Sequence, residues 1–319
     1  MATALEIHGL AKTYRTGFRR RVVEALKGLD LVVEAGSIFG FVGPNGAGKS
    51  TTIKLLVGLC APTAGTAEIF GRPVSDARSR LAVGYLPENP AFHDFLRPLE
   101  VLELLGRLSG LSGAPLRRRA EEMLALVGLE HARDLTVRKF SKGMVQRLGL
   151  AQAVLHDPPL LILDEPMSGL DPIGRKDVRD LILELRRHGK TIFFSTHILN
   201  DVEVVCDRVG MVMSGRLVRE GALKQLLDGS VRSVEVRCTA LGPDALRSVG
   251  ALAKAASPNA EGHTFHFGDH AAANAALARI AAAGATVLAV QPITETLEET
   301  FVRLAADRGA GESGAAARG

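Results

Sequence analysis

The nine residues Gly43, Pro44, Asn45, Gly46, Ala47, Gly48, Lys49, Ser50 and Thr51, GPNGAGKST, match the spacing GxxxxGK[ST]. The chemistry of that spacing is phosphate binding. Its glycines let successive backbone N–H groups turn inward around an anion, and a helix starting there adds the partial positive charge of its N-terminus. Lys49 then reaches the β- and γ-phosphates of a nucleotide, and the Ser50 hydroxyl is a ligand for Mg²⁺. A second signal closes the apolar run LLILDEP (160–166). Ligands of open α/β sheets gather at the carboxyl ends of the strands, so Asp164 is placed to hold Mg²⁺ through water. Glu165 is a second acid, more than metal holding needs, and its natural role is to polarise an attacking water. The implied reaction is hydrolysis. A third stretch, FSKGMVQRL (140–148), poses a question: Ser141 is a good helix N-cap, yet Gly143 follows at the second helical position. Glycine there costs about 1 kcal/mol relative to alanine, and no turn requires it.

These side chains need elements to hold them. SIFGFVG (37–43) is a β-rich run ending at glycine, and STTIKLLVGL (50–59) predicts the helix that follows. PLLILDEP (159–166) and KTIFFSTH (190–197) are continuous apolar runs, the pattern of strands buried on both faces of a parallel sheet. DVRDLILELRRHG (177–189) carries Val178, Leu181, Ile182 and Leu185 on one stripe and predicts an amphipathic helix stopping at Gly189. VGMVMSGRLVREG (209–221) predicts a hairpin turning at Ser214-Gly215. Such alternation means a mostly parallel α/β core. Residues 92–155 interrupt it with helical pattern, as an inserted subdomain would. Beyond residue 230 short alternating runs mix with alanine-rich helical stretches such as AAANAALARIAAAG, which predicts a small separate α+β domain over 231–306. The Gly/Ala-rich end, 307–319, has nothing to bury and is expected to be disordered.

Bulk properties set the compartment. The net charge of +4 is mild, and the arginine clusters at 15–21, 116–120 and 185–190 read as solvated faces and loops. Cys60, Cys206 and Cys238 are odd in number with no CxxC pair, which fits a reducing cytoplasm. No run of about 18 apolar residues occurs, so no membrane span is expected.

The order of GPNGAGKST, FSKGM, LLILDEP, SGLD (168–171) and STH (195–197) resembles the nucleotide-binding subunit of ATP-binding cassette (ABC) transporters. It looks most like the single-cassette subunits of ABC-2 type exporters. The resemblance implies a P-loop NTPase core over residues 1–230. An N-terminal antiparallel β-subdomain and the helical subdomain at about 92–155 would belong to it, with the small α+β domain after it. FSKGM is similar to the family signature LSGGQ, with Ser141 and Gly143 kept. In the family this helix start faces the γ-phosphate held by a second subunit, which implies that Gly143 opens the backbone to a partner's nucleotide. By the same resemblance Tyr14 stacks on adenine, His197 contacts the γ-phosphate, and Asp171 lies at the seam between two cassettes. One position departs from the pattern. The loop GYLPENP (84–90) carries Glu88 where the family has a glutamine that touches Mg²⁺ and water. A carboxylate still ligates Mg²⁺ but adds negative charge beside the phosphate.

Two functions of different class follow. The first is a transport ATPase using ATP and Mg²⁺, cytoplasmic and peripheral on the inner face of the cell membrane. Its partners would be a separate transmembrane permease and a second copy of itself or a related cassette, with no nucleic acid. The second is a soluble ABC ATPase acting on nucleic acid or ribosomes. Proteins of that second kind usually carry tandem cassettes, a long coiled coil or a zinc-binding insertion. This chain shows one phosphate loop and no sustained heptads, and its stretch TLEETFVRL (296–304) resembles the tail of ABC-2 exporter ATPases. Transport is therefore the expected function. A kinase or GTPase on the same loop would leave FSKGM unexplained, and no guanine-reading NKxD is present.

Overall fold

The computed structural model describes residues 2–16, 21–227, 233–293 and 296–299. The expected tail at 307–319 lies outside them. The chain divides into two compact units, Met1–Leu223 and Lys224–Gly319. The division thus comes before the change in composition at 230–231, which itself falls outside the described residues.

The first unit opens with two long strands, β1 (Thr3–Thr16) and β2 (Arg21–Glu34), and then β3 (Ile38–Val42) and α1 (Lys49–Leu56). β4 (Ala64–Ile69), β5 (Arg72–Pro73) and β6 (Val83–Leu86) follow. Three helices come next: α2 (Pro98–Leu108), α3 (Gly113–Leu126) and α4 (Lys142–Val154). They fill the stretch where helical pattern interrupts the strand rhythm. The chain then returns to alternation through β7 (Leu160–Asp164), α5 (Pro172–Arg187), β8 (Thr191–Thr196), α6 (Leu199–Val205), β9 (Arg208–Met213) and β10 (Arg216–Ala222).

Two sheets result. One is antiparallel, in the order β2-β1-β4-β5; the other runs β10-β9-β3-β8-β7-β6 and is parallel except for the edge strand β10. β3, β7 and β8 lie inside this second sheet and are buried along their whole length, which is why they read as unbroken apolar runs. One core joins the two sheets, with Leu5, Ile7, Leu29 and Ile69 of the first packed with Phe39, Phe41, Ile162 and Phe193 of the second. Phe193 stacks on Phe39 at 5.9 Å between ring centroids and tilts against Phe41 at 5.4 Å. The β9–β10 hairpin turns where expected: Ser214 and Gly215 both have positive φ, 47° and 79°, which sets the tight turn matching strand twist.

α5 buries the stripe Val178, Leu181, Ile182 and Leu185, yet it starts at Pro172, ahead of the predicted Asp177. Its first turn has no apolar stripe to betray it. The start is set by Asp171, whose carboxylate accepts from Gly174 N at 2.9 Å, and by Pro172 at the first helical position.

The second unit begins with the short helix α7 (Leu223–Leu227), which spans the division. It continues as β11 (Ser233–Thr239), α8 (Pro243–Gly250), β12 (Ala255–Asn259), β13 (Gly262–Phe267), α9 (His270–Ala282) and β14 (Val287–Ile293). The strands form an antiparallel sheet in the order β12-β13-β11-β14, a split βαβ arrangement. Val234, Val236, Cys238, Phe265 and Phe267 pack against Ala273, Ala276 and Ile280 of α9 in a core of its own. Because each unit has its own core, a fragment of residues 1–230 is expected to unfold in one cooperative thermal transition and to bind ATP with the full chain's affinity. A fragment without a melting transition by circular dichroism would show that the first unit needs the second.

Candidate active site

The phosphate loop joins the end of β3 to the start of α1. Its glycines serve two different constraints. Gly46 and Gly48 have φ of 81° and 110°, in the left-handed region where a side chain is strained. Gly43 does not; a Cβ there would run into the Val212 carbonyl oxygen of β9. Close packing, not backbone freedom, therefore selects glycine at that position. The loop is tied to the β9–β10 turn by Gly215 N donating to Ala47 O at 2.9 Å.

Lys49 is buried at the start of α1. Its Nζ donates to Gly43 O at 2.7 Å and Pro44 O at 3.3 Å and pairs with Glu165 Oε1 at 3.4 Å. The other carboxylate oxygen of Glu165 meets His197 Nδ1 at 3.0 Å. A carboxylate only accepts, so Nδ1 carries the proton in this contact. Beneath them Ser50 Oγ donates to Asp164 Oδ1 at 3.4 Å, and Ser195 Oγ donates to the same oxygen at 2.6 Å. Asp164 and Ser195 face each other in the parallel register of β7 and β8. Ser195 also holds Glu165, whose N–H donates to both the Ser195 hydroxyl, at 3.1 Å, and its carbonyl, at 3.2 Å.

A cleft of about 580 Å³ opens over this cluster. Its walls include Tyr14, Pro44, Asn45, Gly46, Gly48, Lys49, Ser50, Thr51, Glu88, Glu165 and His197, all expected from sequence. Ala47 is buried behind the loop, and Gly43 contributes its carbonyl to Lys49. Val23, Glu24 and Ala25, which carry no signal in the sequence, also line the cleft, as does Ser168, the first residue of SGLD; Val23 enters as the cross-strand partner of Tyr14. Ser195 belongs to STH, but its place beside Asp164 follows from strand register, which the sequence does not show. Burial raises the Tyr14 phenol above its ordinary value, and the contact of its oxygen with Cys60 Sγ at 3.8 Å adds to the shift. The Lys12 ammonium lies over the Tyr14 ring, 5.1 Å from its centroid. Burial, followed by the Asp164 charge, likewise raises the Tyr85 phenol.

Ser141, Gly143 and Asp171 do not line this cleft. Ser141 caps α4 by accepting from Met144 N at 3.3 Å and is itself exposed. Within the chain nothing forces glycine at 143. A Cβ there would have Leu170 Cδ2 at 3.6 Å and Ser141 Oγ at 3.9 Å, ordinary contact distances.

Comparison with known proteins bears on this arrangement. A family model described as "ABC transporter" matches residues 26–168. An uncharacterized ABC transporter ATP-binding protein of Synechocystis sp. is 40% identical over 311 residues, spanning 97% of this chain and 86% of its own length. The chain belongs to the ABC transporter ATP-binding proteins. The cassette is also 38% identical, over 64% of this chain and 68% of the relative, to the Nod factor export ATP-binding protein I of Cupriavidus metallidurans. A solved dimeric structure of the ATP-binding cassette MJ0796, in a post-hydrolysis state bound to ADP and Pi, superposes with a TM-score of 0.63 at 27% identity. It covers 69% of this chain and 98% of that one. The cassette is thus the ATP-binding, ATP-hydrolysing subunit of an ABC transporter.

Three variants test the geometry. Glu165→Gln is expected to bind ATP yet lose about 10² to 10⁴-fold in steady-state turnover, while Lys49→Ala weakens ATP binding itself in a direct titration. Turnover within a few-fold of the parent would assign the base elsewhere. Gly43→Ala, by forcing a methyl against the Val212 carbonyl, is expected to cost about 1–3 kcal/mol of stability in a denaturant titration; an unchanged midpoint would mean that β9 yields without cost.

Proposed function

We propose that this cassette is the motor of an exporter, that two cassettes close around ATP, and that it works on the cytoplasmic face of a membrane through a separate permease. The observation that carries the reading is the convergence of Lys49, Glu165 and His197 above the Ser50–Asp164 pair within one cleft. The Lys49 side chain and loop N–H groups such as those of Gly46, Gly48 and Lys49 would grip the phosphates, with Pro44, Asn45, Gly46, Ala47 and Gly48 shaping the turn and Thr51 beside it. Tyr14 would stack on the base. Glu165 would orient and polarise the attacking water, and His197 would fix the carboxylate and contact the γ-phosphate.

The Ser50 hydroxyl and the Asp164 carboxylate are hard oxygen donors side by side, a set that fits Mg²⁺, with Glu88 at the cleft's rim. Mg²⁺ bound there would neutralise phosphate charge and hold the β- and γ-oxygens in place. Glu88 is exposed on the loop after β6. As a carboxylate it would add an oxygen to that set at the price of repelling the γ-phosphate.

Ser141, Gly143 and Asp171 lie away from the chain's own cleft, which suits residues that serve a nucleotide bound by a second cassette. Export and a permease partner rest on the relatives' names and on the fold. No helix among the described residues is long and apolar enough to cross a membrane. An apolar groove of about 530 Å³, formed by Phe92, Leu96, Val101, Leu104, Leu105 and Leu108, lies next to the loop that carries Glu88. It suits a short amphipathic helix of the permease, set where its movement would reach the cleft.

The sandwich is tested in a Glu165→Gln background, which keeps the ATP that joins two cassettes. Glu165→Gln alone should dimerise on adding ATP, as measured by light scattering. With Ser141→Arg added, one chain should bind labelled ATP as before and stay monomeric. Equal dimerisation of both proteins would leave Ser141 an ordinary helix cap.

A further inference from the structure

We propose that Gln146 is a positioning residue through which α4 holds Glu165, so that the grip of Ser141 and Gly143 on one nucleotide sets the water-polarising carboxylate at the other. The inference rests on the reading that two cassettes share each ATP.

Gln146 is 2% exposed, a polar side chain placed in the interior of α4's inner face. Its Nε2 donates to Pro166 O at 3.1 Å. A buried amide needs such a partner, and a carbonyl oxygen identifies the donating end as the NH₂ group. Pro166 directly follows Glu165, and Glu165 is one of few non-glycine residues here with positive φ, 49°. A glutamate persists in that conformation only where its surroundings over-determine it. Ser195 fixes the upstream side by accepting the Glu165 N–H. Downstream, Pro166 has no N–H of its own; the Glu165 carbonyl accepts from Ser168 N at 3.1 Å, and the next carbonyl, that of Pro166, is held by the Gln146 side chain.

The other end of the lever is Ser141. Gln146 lies five residues further along, about 7.5 Å of helix axis. The first turn of α4 also lies on the segment that runs from Glu165 to Asp171: Leu170 packs below Gly143, and the Lys142 side chain crosses the face of Gly169 where a Cβ would stand. A displacement of Ser141 and Gly143 by a partner's phosphate would therefore move Gln146 and its acceptor together, since a helix this short transmits the shift as a rigid body. Gln146 transfers no proton and touches no substrate. It aims the carboxylate that Lys49 and His197 flank.

The test uses the full chain with Gln146→Leu, close in size but without a donor, and Gln146→Glu, which keeps the length and polarity yet opposes the Pro166 carbonyl when ionised. Both are expected to lower kcat about 10 to 10²-fold, the range for a displaced reacting group, with KM and directly titrated ATP affinity unchanged. The Hill coefficient for ATP in hydrolysis should fall toward one. Combined with Glu165→Gln, each variant should still dimerise at the ATP concentration that suffices for Glu165→Gln alone. Parent-level kcat in both variants overturns the assignment, as does loss of ATP binding or of ATP-driven dimerisation in step with turnover, which would mark Gln146 as simple packing. If Glu165→Gln itself fails to dimerise, the shared-ATP reading falls and the coupling falls with it, independently of what kcat shows.

Discussion

Lys49 and Glu165 face each other at 3.4 Å with side chains only 6% and 8% exposed. Two opposite charges this far from water are costly to bury, and removing either one leaves the other uncompensated, at about 3–5 kcal/mol. The fold must therefore deliver both to the same point. It does so through the parallel sheet. Lys49 follows β3 and Glu165 follows β7, with β8 between them, so all three strands end on one edge and His197, just past β8, closes the set. Antiparallel neighbours would have sent these residues to opposite edges. The ion pair and the sheet's direction are one constraint.

Held charges also need held backbones. The phosphate loop gains rigidity from its back, where the Val212 carbonyl excludes any side chain at Gly43 and Gly215 N reaches Ala47 O. Glu165 is fixed by Ser195, whose hydroxyl accepts from one residue and donates to its neighbour, tying Asp164 and Glu165, the acids proposed for Mg²⁺ and for the attacking water, to a single atom. Burial raises the Asp201 carboxyl above its usual range against the opposing pull of Arg175, which bonds it at 3.1 Å. That pair ties α5, which Asp171 caps, to α6, which follows His197, so the segments after Glu165 and after His197 are braced from outside the cleft.

Much of this was legible because sequence and burial share a period. β3, β7 and β8 announce themselves as largely apolar runs, and α5 as a stripe, because burial on both faces or on one side favours apolar residues except where, as at Asp164 and Ser195, a polar side chain finds a partner. The phosphate loop was legible for another reason: its chemistry needs particular residues at fixed steps. What escaped was whatever depends on elements meeting in space. The pairing of Asp164 with Ser195 is a matter of register between strands. Val23 and Glu24 reach the cleft only because β2 folds back on β1. β12, AASPN, has no alternating pattern at all and contains a proline; it is a strand because β13 lies beside it.

Gly43 and Gly143 separate two kinds of reason for a glycine. At 43, as at Gly84 and Gly106, a side chain would strike atoms of the same chain, so the protein's own packing accounts for the residue. At 143 the backbone is an ordinary helix start and a methyl group would meet nothing closer than 3.6 Å. Alanine would fit there and would favour the helix by about 1 kcal/mol. The single chain thus supplies a reason against glycine and none for it. A reason outside the chain has to be something that approaches the first turn of α4 more closely than a methyl group allows, and that gains from the unpaired N–H groups there. A phosphate meets both conditions, and the chain's own phosphate loop opens onto a cleft that Gly143 does not line. That is the physical support for the proposal, which the resemblance first suggests, that Ser141 and Gly143 serve a second cassette's nucleotide rather than this one's.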